Sequence, residues 1–391
     1  MRRYTEPFHQ LKVIGLCACM VVVWAGSRHP VGPPGEDASP TPPGSTSSFN
    51  STRGDSVKIG LLVPREKASA TIGLAAKRGA EMAISDANRD GGFEGRPFSL
   101  IVRSDDGPWE AGTGEMAKLV FEDRVWAILG GLDGRRAHLA EQIATKGRIT
   151  LVSPWASDPT LTQINIPWFF RCVPDDRQQA TALVKEIFQN RGLERLVTVH
   201  EDTYDARMAE TTFARIAATT GYSLVNQITL GRPDRDLQEV LNLIERAGVE
   251  GIVLFGQPTN MASLVRQMRV RGMDQAIFGP LSFVEDDFLA EANEHDAFFV
   301  APGHWHTSQG TSFRQSYQKK YGEPPPAVAA YAYDGMRVIV EAIRQAGLDR
   351  EKIREATATM EYPHGVTGPI RFDARGNRLT PVAVVEMSNK R

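Results

Sequence analysis

Cysteine is scarce in this chain. Of three in 391 residues, Cys17 and Cys19 fall within the first apolar stretch and only Cys172 belongs to the remainder. One thiol cannot close an internal disulfide, so the body must stand on its hydrophobic core. Long apolar runs are missing too: beyond the N-terminus no segment approaches the ~20 residues a spanning helix needs. Charge of one sign is also lacking, since the formal net charge is only -2, which gives no hint of nucleic-acid binding. Catalytic signatures are absent one by one. No Gly-x-Gly-x-x-Gly follows the first strand, where Pro64-Arg65-Glu66-Lys67 stands instead, so a dinucleotide site is disfavoured. Neither a phosphate-cradling Gly-x-x-x-x-Gly-Lys-Ser/Thr nor a Gly-x-Ser-x-Gly nucleophile elbow occurs. His304-Trp305-His306 is a close histidine pair, but no cysteine or carboxylate lies nearby in sequence to complete a metal site, so it reads as surface or cleft-rim. Asp105-Asp106 after the second strand could bind a cation, but the pair reads rather as a solvated turn capping the next helix. Together these absences predict a binder with no catalysis, no cofactor and no metal.

What is present begins with a basic start, Met1-Arg2-Arg3 and Lys12, followed by an uncharged run from Val13 to Trp24. As a helix that run spans only about 18 Å, short of the roughly 30 Å hydrocarbon core. With the small residues Ala25, Gly26 and Ser27 behind it, residues 1–27 read as a secretory signal cut after Ser27. The alternatives are an uncleaved anchor, or acylation at Cys19 in Leu16-Cys17-Ala18-Cys19, either of which tethers the protein to a membrane. Residues 28–56 are rich in Pro, Gly, Ser and Thr and have few large apolar side chains to offset the entropy of ordering, so they read as a disordered linker.

From Val57 onward strands alternate with helices. Val57–Val63, Phe98–Val102, Val125–Leu129 and Ile149–Val152 are β-rich runs, separated by helical spacing over 74–87, 111–121 and 137–145. The rhythm then restarts with strands at 196–200, 224–230, 251–255 and 276–278 between helices at 180–190, 208–220, 237–247 and 261–270, and one more near Phe288. A long helix over 327–346 and a strand at 382–385 close the chain. This alternation predicts right-handed βαβ units and parallel sheets. Two such units place a ligand cleft between them, at the C-terminal ends of their strands.

Particular residues resemble the branched-chain amino-acid (Leu/Ile/Val) binding proteins of ABC importers, from about Val57 to the C-terminus. Val57-Lys58-Ile59-Gly60-Leu61-Leu62-Val63-Pro64 is similar to their opening strand, and Gly79-Ala80-Glu81-Met82-Ala83 with Asn88 and Gly91-Gly92 to their first helix and its exit. Asp105-Asp106, Leu151-Val152-Ser153-Pro154 with Ala156-Ser157 and Pro159-Thr160-Leu161-Thr162, Phe169-Phe170-Arg171, and Tyr331-Ala332-Tyr333-Asp334-Gly335 follow in the family's order. The resemblance implies an α/β fold of two doubly wound Rossmann-like lobes joined by three crossover strands, the type I periplasmic-binding-protein fold. Lobe one is expected at about 57–174 plus 303–366 and lobe two at about 175–302 plus 367–391.

The resemblance also implies a pocket: Gly134, Arg135, Ala156, Ser157, Tyr204, Gln257 and Leu281. Several of these depart from the family. Asp133-Gly134-Arg135-Arg136 stands where the family places serines for the ligand carboxylate, and Gly107 and Asp133 stand where it places paired cysteines. Leu281 replaces a glutamate that often meets the ligand ammonium, for which Glu201, Asp202, Glu285 or Asp286 could substitute. Arg135 and Arg136 could instead meet an anion, or simply be solvated. Trp109 and Trp155 are candidates for stacking or for packing. The expectation is an exported receptor of an ABC permease, periplasmic or tethered, holding a small amino-acid-like, amide or anionic solute. The alternative is a sensor or scaffold of the same fold acting on a separate partner chain.

Overall fold

The computed structural model describes residues 56–65, 69–107, 109–231, 236–284, 288, 296–302, 308–379 and 381–388. The expected signal and nearly all of the linker lie outside them, as do His304-Trp305-His306, Glu285, Asp286, the side chain of Trp109 and most of the helix expected near Phe288. Strands β1 (Val57–Val63), β2 (Phe98–Ser104), β3 (Ala127–Gly130), β4 (Thr150–Ser153) and β5 (Phe169–Arg171) form an all-parallel sheet in the order β2-β1-β3-β4-β5. Helices α1 (Ala70–Arg89), α2 (Trp109–Ala117) and α3 (Gly134–Gly147) connect them. Strands β1, β3 and β4 are buried almost throughout, as expected where helices cover both faces of a parallel sheet.

The chain then crosses through α4 (Asp176–Val184) into a second sheet. Strands β6 (Leu196–Glu201), β7 (Asn226–Leu230), β8 (Gly251–Phe255), β9 (Ala276–Gly279), β10 (Asp296–Pro302) and β11 (Val382–Ser388) take the order β11-β10-β9-β8-β6-β7. The pairs are parallel except β10 with β11. Helices α5 (Tyr204–Thr219), α6 (Leu237–Ala247) and α7 (Pro258–Val270) alternate with them. The first strand of each sheet lies between the second and the third, so both sheets reverse direction at the same step, β1/β3 and β6/β8. After β10 the chain returns through α8 (Ser308–Tyr321), α9 (Ala327–Ala346) and α10 (Arg350–Ala358) to pack on the first sheet. Residues 370–379 lie beside β5, where the Arg171 amide donates to the Gly376 carbonyl at 2.8 Å, before β11 rejoins the second sheet. The two sheets are thus linked by three passages of chain.

Helices α8 and α10 and strand β10 were not anticipated. In α10 only Ile353 and Thr357 are buried, and α8 buries Gly310, Phe313 and Tyr317 along an otherwise polar sequence, too weak a period to stand out. Small residues dictate how α1 meets α9. A Cβ placed on Gly79 would lie 2.0 Å from the Ala329 carbonyl oxygen. Gly79→Ala should therefore destabilise the fold by about 1–3 kcal/mol despite alanine's better helix propensity. Urea denaturation checks this, and an unchanged midpoint would contradict the close approach.

Candidate ligand-binding site

The reversal points of the two sheets face a common cavity of ≈ 960 Å³. Pro64 after β1, Leu132 and Asp133 after β3, Glu201 to Tyr204 after β6 and Gly256 to Pro258 after β8 line its walls. This is where open α/β sheets bind ligands, because the helix N-termini and loops that follow those strands converge there.

All seven residues expected in the pocket lie on its wall. Gly134 opens α3, and its amide donates to Asp205 Oδ1 at 3.0 Å. Arg135 is exposed at the rim with its guanidinium 5.5 Å from the Tyr204 ring centroid. Ala156 is buried; its amide donates to Ser153 Oγ at 3.1 Å and its carbonyl accepts from Arg171 at 3.2 Å. The Ser157 carbonyl accepts the Asp176 amide at 2.9 Å, and its hydroxyl serves the Asp176 carboxylate. The Tyr204 hydroxyl donates to Asp158 Oδ2 at 2.8 Å. Gln257 stands at the N-terminus of α7 in an exposed position, its backbone N–H donating to Glu201 Oε2 at 2.9 Å. Leu281 is buried, and its amide donates to Gln179 Oε1 at 2.9 Å. Trp155 also lines the wall, edge-on to Tyr331 at 5.7 Å. Of the acids considered in place of the missing glutamate, Glu201 and Asp202 are at the cavity.

The start of α5 therefore reaches across to the first sheet at three points: Tyr204 to Asp158, Asp205 to Gly134, and the Tyr204 ring to Arg135. Asp158 is the fixed end of this contact. Burial alone would raise its pKa, but His138, Thr160 and Tyr204 outweigh burial and hold it at about 2. His138 in turn is pushed up to about 9 by Asp158 and Glu141, with Nε2 3.2 Å from Asp158 Oδ2 and Nδ1 3.1 Å from Glu141 Oε1.

Sequence reasoning misplaced one acid and passed over others. Asp105, expected in a solvated turn, is buried at 5% exposure on the cavity wall, while Asp106 holds the β1 exit by accepting the Arg65 amide at 2.6 Å. Burial lifts Asp105 to about 7, with Arg136 opposing that rise and Asp133 and Asp106 adding to it. Asp176 and Asp205, in the first turns of α4 and α5, also line the cavity. Acids at helix starts ordinarily answer the helix dipole, so their position alone carried no ligand signal. Among the described residues no group of three or more metal-ligating side chains is present.

A family model described as periplasmic binding protein matches residues 56–391. The chain belongs to the periplasmic binding protein family. Among the relatives of this family member is a leucine-, isoleucine-, valine-, threonine- and alanine-binding protein of Pseudomonas aeruginosa, 24% identical over 83% of this chain and 87% of its own length. Two solved structures share the fold. The branched-chain amino-acid transporter substrate-binding protein of Streptococcus pneumoniae, in complex with isoleucine, has a TM-score of 0.74 at 23% identity, covering 85% of this chain and 100% of that one. A solute-binding protein of an ABC transporter from R. palustris, in complex with benzoate, has a TM-score of 0.74 at 20% identity, covering 85% and 96%. The fold class expected from the sequence is therefore the fold of this periplasmic binding protein.

Two outcomes follow for this periplasmic binding protein. A Cβ on Gly134 would lie 2.8 Å from Asp158 Cβ and 2.8 Å from Asp205 Oδ1. Gly134→Ala should wedge the contact between α3 and α5 apart, giving a larger radius of gyration in small-angle scattering; unchanged scattering would contradict this. His138 has a folded pKa above its ordinary 6.5, so its stabilisation is complete below 6.5 and is lost as pH rises through about 9. The melting temperature should fall across that window in the wild type and fall less in His138→Gln.

Proposed function

We propose that this protein is an extracytoplasmic receptor that captures a small polar solute between two lobes and delivers it to an ABC permease. The observation that carries this reading is the cavity placed at the reversal points of both sheets, walled by residues from each. The proposed lobes are 57–174 with 303–366 and 175–302 with 367–391, exchanging open and closed forms about the three passages of chain. A solute touching both walls favours the closed form by its differential affinity and by no more. Export through residues 1–27, with or without a retained tether, belongs to the same proposal and puts the receptor where solutes arrive. No reaction is assigned to the site.

The test is a thermal-shift screen of the protein against amino acids, amides, dicarboxylates and polyamines. A ligand at 100 times its Kd should add about 2.7 kcal/mol of stability. Turnover of a bound solute, or silence across all four classes, would overturn the receptor reading.

A further inference from the structure

We propose that the solute taken by this cavity is an organic cation, an amine or amidinium with no carboxylate at the α3 end, an inference that rests on the receptor function proposed above. The N-terminus of α3 is the natural seat for an anion. Here the chain's own carboxylates occupy it: Gly134 donates to Asp205 at 3.0 Å and Arg136 to Asp133 Oδ1 at 2.8 Å. A solute carboxylate would have to displace Asp205 and then lie against its charge. The cavity's cations are committed as well. Arg136 bonds Asp133 at 2.8 Å, Arg207 is bonded to Asp202, and Arg135 stacks on Tyr204.

Carboxylates outnumber these arginines. Asp105, Asp133, Asp176, Glu201, Asp202 and Asp205 stand against three arginines among the described lining residues. The decisive one is Asp105. It is 5% exposed, neither oxygen meets a side-chain hydrogen-bond donor among the described residues, and its ion pair with Arg136 is a long one at 3.8 Å. Such a buried carboxylate is costly until a donor or cation reaches it. An ammonium group supplies both, and the aromatic residue Trp155 lies on the same wall.

Proton linkage distinguishes a cation from an anion. Burial raises Asp105 to about 7 and Asp205 to about 6. Asp205 faces Asp133 and Arg135 at the start of α3, Asp158 on the loop after β4 and Asp176 on α4, while Asp105 faces Arg136, Asp133 and Asp106. A cation beside these acids favours their ionised forms, so amine binding releases protons and tightens as pH rises; an anion does the reverse.

Isothermal titration of the full-length protein with isoamylamine, putrescine and agmatine, against isocaproate, succinate and leucine, tests this. The amines should bind, about tenfold tighter near pH 7.5 than near pH 5.5, with heats that vary with buffer ionisation enthalpy as protons leave. Asp205→Asn keeps an acceptor for Gly134 and removes a carboxylate that burial disfavours, so it should weaken amine binding by about tenfold with no fall in melting temperature. Binding of the acids or of leucine without the amines, or amine binding indifferent to pH, overturns the inference. Absence of heat from all six compounds overturns the receptor reading beneath it.

Discussion

The loop that carries Asp158 depends on a buried guanidinium. Arg171, at the end of β5, is fully buried and donates to the Ala156 carbonyl at 3.2 Å, the Asp158 carbonyl at 2.6 Å, Thr162 Oγ1 at 3.1 Å and Asn377 Oδ1 at 2.8 Å. Burial disfavours its charge, and Asp175, Asp176 and Asp158 favour it. Side-chain nitrogens of one residue thus shape the loop after β4 and hold the segment that returns some 200 residues later. Removing such a donor would leave several buried acceptors unanswered, each costing about 1–3 kcal/mol. Arg378 works alongside it, donating to the carbonyls of Cys172, Thr367 and Gly368, while Asp334 on α9 accepts from the amides of Val366 and Thr367. The loop that carries Asp158 to Tyr204 is therefore held from several sides by buried hydrogen bonds.

The meeting surface is polar, and its parts come from opposite sheets. The first turn of α5 brings a hydroxyl and a carboxylate to the loop after β4 and to the first turn of α3. Polar contacts of this kind exchange readily for water, so they orient the two walls at modest net stability. His138 is the exception in strength, because it sits between two acids on its own side and stabilises Asp158 in the form that accepts from Tyr204.

The fold was legible because parallel strands buried on both faces write themselves as apolar runs. Helices α6 and α9 were read with the bounds they take in the structure, 237–247 and 327–346, and so was β8, at 251–255. Helices α8 and α10 were not, since their buried positions are few and their sequences polar. At the site, loops at strand ends revealed which residues could line a cavity. They pointed to Glu201 and Asp202 but not to Asp105, Asp176 and Asp205, which look like turn or helix-start residues in any α/β protein. Their surroundings are set by groups far away in the chain: Asp205 meets Gly134 across 71 residues, and Asp105 faces Arg136 at 3.8 Å.

Glycine at position 134 ties these threads together. Without a Cβ the start of α3 admits Asp158 from its own side and Asp205 from the opposite one, so two carboxylates converge on one helix terminus. A serine there would offer a hydroxyl to an incoming carboxylate and hold Asp205 off. The glycine does the opposite, exchanging a place for a solute's negative charge for one of the chain's own. The same glycine therefore bears both on the contact between α3 and α5 and on the charge found at that end of the cavity.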